Sequence, residues 1–211
     1  MWTILGLAIL VYLAEICRAA QSPTLAPGEA DTQHELSSLG PNFHVLNDLM
    51  LPSPGNLPTT QIDHVVVSKY GIFCVETKGY GGLVLGSDGY RTWRSYQGKN
   101  YTEFQNPVHQ NKVHLEAFAI FVARAGLKAE IRSLVSLPHA QKIEAISAHA
   151  FVGSAGEVGR EIQQCCEPVM SQAEVELLVE MLEEANIKDP EVREYHNLKV
   201  QAHVKRLRRS E

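Results

Sequence analysis

The residues best suited to chemistry are Asp63, Glu76 and Lys78, in the stretch from Gln61 to Lys78 (QIDHVVVSKYGIFCVETK). Residues 62–67 and 72–78 are β-branched and aromatic enough to read as two strands. Ser68-Lys69-Tyr70-Gly71 lies between them as a hairpin turn, with Gly where a positive φ is wanted. If Lys69-Tyr70 is a two-residue loop, Ser68 pairs with Gly71, and counting back along both strands sets Asp63 opposite Glu76. A three-residue loop with a Gly bulge shifts this by one and leaves the two as near neighbours. Glu76 and Lys78 share one side of their strand and Thr77 takes the other. Either way, two carboxylates and one ammonium meet within one or two pleats, where opposed Cβ atoms are about 4.5–5.5 Å apart.

Like charges opposed on a sheet are destabilising unless something neutralises them. A hard divalent cation does so, and Mg²⁺ (or Mn²⁺) takes one or two carboxylates plus waters and phosphate oxygens. The expected ligands are Asp63, Glu76 and the main-chain carbonyl of Thr77. Such a cation activates water and stabilises charge on a phosphodiester. Lys78 would orient or deprotonate that water, or neutralise the transition state. The spacing alone is common, and charges on a strand face are usually solvated. These strands, however, are apolar enough to be central, and a charge in such a strand needs a partner.

The elements that must position these residues follow from the chain on either side. Residues 21–28 form a Pro-rich linker, and a helix starts near Pro27, with Glu29 in its first turn and Gly40 as its stop. Residues 42–49 read as a strand and 51–58 as a loop. Short strands are expected at 83–86, 91–96 and 99–104. Asn106-Pro107 opens a helix over about 108–125, strands follow at 131–137 and 145–152, and Ser171 caps a helix over about 172–186. Asp189-Pro190 opens a last helix that ends in the basic run KRLRR. The order implies an α/β or α+β fold rather than an all-β sandwich.

Composition narrows the classes further. With 211 residues, 45% hydrophobic and 20% charged, the chain can bury a core, which excludes global disorder. Four cysteines (Cys17, Cys74, Cys165, Cys166) form no disulfide framework and no C-x-x-C spacing, and read as reduced thiols. A net charge of −5 does not suggest a generic basic nucleic-acid binder. The charge is uneven, however, because an acidic run at 171–186 offsets a basic C-terminus. Residues 2–14 (WTILGLAILVYLA) are uncharged and apolar, yet as a helix they reach only about 20 Å. Residues 1–20 read as a short anchor or a cleaved signal peptide. The anchor contacts the membrane through residues 2–17, and Arg18 on its C-terminal side leaves the main domain in the cytoplasm. Cleavage would instead give a secreted or periplasmic protein.

The stretch around the hairpin resembles the nuclease-related domain (NERD) family, a branch of the PD-(D/E)xK nuclease superfamily. The matching blocks are Gly28-Glu29, Val45-Leu46-Asn47-Asp48, Gln61-Ile62-Asp63-His64, Gly71-Ile72-Phe73 and Val75-Glu76-Thr77-Lys78. Gly82, Trp93 and Asn106-Pro107-Val108-His109-Gln110-Asn111 follow in order. The resemblance covers about residues 27–120. It implies a restriction-endonuclease-like core, a mixed sheet flanked by helices, with the site at Asp63, Glu76 and Lys78. It further implies that Glu29 on the first helix and Gln110 on the later helix join the site. The expected organisation is an anchor or signal at 1–20, a linker at 21–26, the nuclease-like domain at 27–155 and a helical extension at 156–211. The expected activity is metal-dependent hydrolysis of DNA, the rival being a nucleic-acid-binding or membrane-associated scaffold without turnover.

Other features read more blandly. His64 points away from Asp63 and serves structure. His109 and His114, five apart on a helix, share no face cleanly. Trp93, Tyr96 and Tyr101 pack in a hairpin. Lys205, Arg206, Arg208 and Arg209 form a basic tail that is either solvated or bound to phosphates.

Overall fold

The fold is that of a computed structural model, which describes residue 26, residues 28–54 and residues 57–207. The apolar segment 1–20 and the linker as far as residue 25 lie outside the described residues, as do the side chains of the basic tail from residue 203. Among the described residues no helix is long and apolar enough to cross a membrane.

The chain forms a mixed α/β fold with a restriction-endonuclease-like core. Helix α1 (Glu29–Ser37) leads into strands β1 (Phe43–Pro52), β2 (Thr59–Ser68) and β3 (Gly71–Thr77). A meander follows: β4 (Gly82–Ser87), β5 (Thr92–Gln97) and β6 (Asn100–Gln105). Helix α2 (Pro107–Arg124) returns the chain to β7 (Ile131–Ser136), then β8 (Ala140–Ile146) and β9 (Phe151–Gly153). Helices α3 (Ala155–Gln163), α4 (Gln172–Ala185) and α5 (Pro190–Leu207) complete it.

Two sheets result where one central sheet was expected. The main sheet has the order β1-β2-β3-β7-β9, antiparallel through β3 and parallel from there on. The second runs β6-β5-β4-β8, with β8 parallel to β4. The strand expected at 145–152 is the end of β8, a turn and the short β9. Helix α3 was not anticipated, although Ser154 and Glu157 form a capping box that starts it.

Alternation along the strands sorts the core into two layers. Val65, Val67, Ile72 and Cys74 point to one face and pack against Phe118 and Phe121 of α2 and Val175 and Leu178 of α4. Val66, Phe73 and Val75 point to the other, against Leu36 of α1 and Val158 and Ile162 of α3. Burying each such side chain stabilises by about 1.5–3 kcal/mol. The second sheet joins through Val84, Trp93 and Phe104, which pack on Val108 at the start of α2 and on Val135 of β7. Trp93 is buried as expected of a packing residue, and its indole fills the space a side chain at Gly86 would need.

Candidate active site

The β2–β3 hairpin takes the two-residue turn. Ser68 pairs with Gly71, and the register runs back to His64 opposite Val75. The ladder ends there, one pair short of Asp63 and Glu76. In place of a backbone partner, the Thr77 N–H donates to Asp63 Oδ2 at 2.7 Å. The register also puts Asp63 and Glu76 on the sheet face that α2 covers.

Helix α2 supplies the other half of the site. Asn106 caps it, accepting from the Val108 N–H at 2.9 Å, and its amide donates to the carbonyls of Ser87 and Tyr90. Asn111, fully buried, donates to the carbonyls of Cys74 in β3 and Leu134 in β7. The helix is thereby fixed against both strands, which aims Gln110 and His114 at the end of β3. Lys78 Nζ donates to Gln110 Oε1 at 3.0 Å and lies 2.7 Å from Glu76 Oε1. His114 Nε2 lies 3.0 Å from Glu76 Oε2, and its Nδ1 lies 2.6 Å from Thr60 Oγ1. A carboxylate can only accept, so His114 carries a proton on Nε2, and its Nδ1 shares a hydrogen bond with the Thr60 hydroxyl.

Lys78 thus links Glu76 and Gln110, and the Thr77 N–H ties Asp63 to the end of the same strand. Glu29 lies within electrostatic reach of Glu76 and Lys78, and its carboxylate accepts from the Ala26 N–H at 3.0 Å. Its helix begins at Gly28, whose φ of +96° is left-handed. A Cβ at Gly28 would sit 2.8 Å from Pro138 Cγ and 2.9 Å from Gly79 Cα, so only glycine lets the start of α1 lie against the segment that follows Lys78. His64 is buried on the opposite face, as expected, and donates from Nδ1 to Asn47 Oδ1 at 2.7 Å. His109 and His114 part company, His109 reaching only the Asp88 carbonyl.

Two members of the site went unrecognised from sequence. His114 was weighed only against His109, although it lies four residues, one helical turn, from Gln110. Asp48, in β1, holds a left-handed φ of +53° and accepts from Gln61 Nε2 at 2.6 Å. Asp48 stands in one of the blocks that carry the family resemblance, and Asp tolerates that conformation better than most residues, but neither signal gave it a role.

The electrostatics divide the groups by role. Burial, reinforced by the charge of Glu76, pushes Asp63 well above the usual carboxylate range. Burial would also raise Glu76, but Lys78 and the hydrogen bond from His114 outweigh it and hold Glu76 below its ordinary value. Burial would lower Lys78, but Glu76 and Asp63 outweigh it and keep the ammonium charged. Lys78 is therefore a cation at rest, which favours charge neutralisation over proton abstraction. Burial raises Glu29 too, with Glu76 and Asp48 adding to the effect against the Ala26 N–H.

Three carboxylates, Glu76 buried and Asp63 and Glu29 partly so, thus lie within electrostatic reach of the Lys78 ammonium. Asp63, Glu76 and the main chain at Thr77 offer oxygen donors, the kind a hard divalent cation takes. Among the described residues no three His, Cys, Asp or Glu side chains converge as a ready-made metal cluster. A cation held here would therefore rely on main-chain, water and substrate oxygens as well, which suits Mg²⁺ or Mn²⁺ better than Zn²⁺.

A Bacillus anthracis protein described as uncharacterized is 26% identical to this chain over 170 residues, 80% of each chain. No solved structure matches significantly. The family model of the nuclease-related domain matches residues 24–138, which hold α1, the hairpin with Asp63, Glu76 and Lys78, and α2 with Gln110. The match spans more than half of the chain, and the chain belongs to the nuclease-related domain (NERD) family.

Proposed function

We propose that this domain is a metal-dependent nuclease that hydrolyses phosphodiester bonds in DNA. The observation that carries the reading is the excess of carboxylate, with buried Glu76 and partly buried Asp63 and Glu29 within electrostatic reach of one ammonium, Lys78, among the described residues. Such an excess is costly unless a cation or a cationic substrate complex relieves it. Mg²⁺ or Mn²⁺, bound by Asp63, Glu76 and the Thr77 carbonyl, supplies Lewis acidity and a water of lowered pKa.

The chain's own groups do the rest. Lys78, charged and steadied by Gln110, offsets negative charge on the phosphate in the transition state. His114 fixes the orientation of Glu76, and Thr60 fixes that of His114. The Thr77 N–H fixes the rotamer of Asp63. Glu29 adds negative field at the mouth and strengthens cation affinity. We further propose that residues 2–17 tether the domain to a membrane, with the nuclease on the cytoplasmic side.

One observation favours a second reading, nucleic-acid binding without turnover: both oxygens of Glu76 already face a neighbour, Lys78 on one and His114 on the other. A single experiment separates the two. The full chain in detergent is incubated with plasmid and linear DNA in Mg²⁺, Mn²⁺ or EDTA, alongside Lys78→Ala. Cleavage that needs metal and vanishes in the variant supports the nuclease, and nicked circles make it an endonuclease. DNA retention without cleavage in any metal supports the binding role.

A further inference from the structure

Helix α5 lies wholly beyond the residues that match the family. Two of its side chains nevertheless bond to the strands that carry the site, Arg193 to Asp48 of β1 and His196 to Thr59 of β2. Arg193 Nη1 donates to both carboxylate oxygens of Asp48 at 2.8 and 2.7 Å, and Nη2 donates to the Asp48 carbonyl at 3.0 Å. Nη2 and Nε also reach Asn186 Oδ1 and the Ile187 carbonyl, which anchors the guanidinium to the connection between α4 and α5.

Asp48 is the position in β1 that faces Asp63. The flanking pairs Asn47↔His64 and Leu49↔Ile62 are made and the one between them is not. A non-glycine residue with left-handed φ costs on the order of 1 kcal/mol or more and persists only when its surroundings hold it. The Arg193 fork holds both the side chain and the carbonyl. Gln61 donates to the same carboxylate at 2.6 Å, and Gln61 and Asp63 share one face of β2. The chain from Arg193 through Asp48 to Gln61 therefore ends one pleat from Asp63.

The second network starts one turn along the same face of α5. His196 Nδ1 lies 2.9 Å from Thr59 Oγ1, next in sequence to the Thr60 that holds His114 against Glu76. His196 is buried, whereas Tyr195 and Leu198 beside it are exposed. One helix face thus touches β1 opposite Asp63 and β2 next to Thr60.

We propose that Arg193 is a positioning residue of this site, acting through Asp48 and Gln61 to set the Asp63 carboxylate. The C-terminal helix is then part of the site. The catalytic meaning of this rests on the nuclease reading, whereas the positioning itself does not.

The test uses the full chain with Arg193→Ala and Arg193→Lys, and Leu198→Ala as a control on the same helix. Amide exchange is read at Thr77, whose N–H is held by Asp63, against Val66 in the central strand as a reference for global opening. Mn²⁺ affinity is read by calorimetry. Losing a direct partner of a metal ligand weakens metal affinity by about 10–100-fold, and losing a support that stands behind that shell, as Arg193 does, weakens it by the lower figure. Arg193→Ala is expected to do so and to speed Thr77 exchange by about tenfold beyond any change at Val66. Arg193→Lys, which keeps the charge and loses the fork, falls between, and Leu198→Ala changes neither. If Arg193→Ala does not fold, Arg193→Lys and Asp48→Asn carry the same comparison. Thr77 exchange that stays at the wild-type rate, or that rises only in step with Val66, overturns the proposal. If wild-type chain binds no Mn²⁺, the nuclease reading fails, and the Thr77 comparison still decides the positioning.

Discussion

His114 is the most informative residue to remove, because it joins a buried carboxylate to a buried hydroxyl. Its side chain is 5% exposed and that of Glu76 is 1%. His114→Ala strips the donor from Glu76 Oε2 and the hydrogen-bond partner from the Thr60 hydroxyl. A buried polar group left unpaired costs about 1–3 kcal/mol, and more when it is charged. Losing both hydrogen bonds costs about 2–4 kcal/mol in all. With a urea slope of about 2–3 kcal/mol/M for a domain of this size, the unfolding midpoint falls by about 1–2 M. Fluorescence of the buried Trp93 provides the signal. His114→Gln keeps a donor for Glu76 and recovers part of the loss. The decisive form is a double-mutant cycle with Glu76→Gln, read in EDTA. If His114 acts through Glu76, the two losses are non-additive by about 1 kcal/mol or more. Additivity within about 0.5 kcal/mol would refute the coupling, as would a His114→Gln variant no better than alanine.

Three further outcomes follow from the same geometry. Burial and the charge of Glu76 raise Asp63, so its ionised form is a cost to folding that grows as pH climbs through the raised pKa. Asp63→Asn keeps an acceptor for the Thr77 N–H and removes that cost. At pH 8 in EDTA its urea midpoint should exceed that of wild type while Mn²⁺ binding is lost, and a lower midpoint contradicts the assignment. Burial lowers His64 to about 4 from 6.5, so the unfolded chain takes up the proton first on acidification. Its stabilising contribution is complete above pH 6.5 and falls by about 3 kcal/mol as pH drops to 4. His64→Gln should flatten urea midpoints over that window, and an unchanged slope places the acid sensitivity elsewhere. Gly28→Ala combines a left-handed φ with contacts of 2.8 and 2.9 Å on Pro138 and Gly79. It should destabilise by at least about 2 kcal/mol in thermal unfolding, and a loss under about 0.5 kcal/mol would mean that α1 can move away.

The hairpin was legible because its signals are local. Period-two alternation, a glycine at the turn and a two-residue loop fix which side chains share a face, and Asp63 and Glu76 needed nothing more. The cap at Asn106 was legible for the same reason. The second sheet was not, because β8 pairs in parallel with β4 across a long stretch of sequence, from Gly82 to Ala140, and its own residues alternate without a strong apolar stripe. Arg193 was invisible because its partner lies 145 residues away and the residue sits in a charged helix that reads as solvated. Asp48 depends on a backbone angle that no spacing rule supplies. His114 was within reach of sequence reasoning, since the relevant spacing was the four residues from Gln110 and not the five from His109.

The parallel pairing of β3 with β7 bears on when the site comes into being during synthesis. Lys78 N–H bonds to the Ser136 carbonyl, and Asn111 ties β3 to β7 through α2. The hairpin that carries both carboxylates leaves the ribosome early, but its flank stays open until the strand some sixty residues later arrives. Parallel partners this far apart in sequence close slowly. During vectorial emergence, then, a growing chain holds Asp63 and Glu76 without the helix and strand that orient them. Competence arrives only with the later part of the polypeptide.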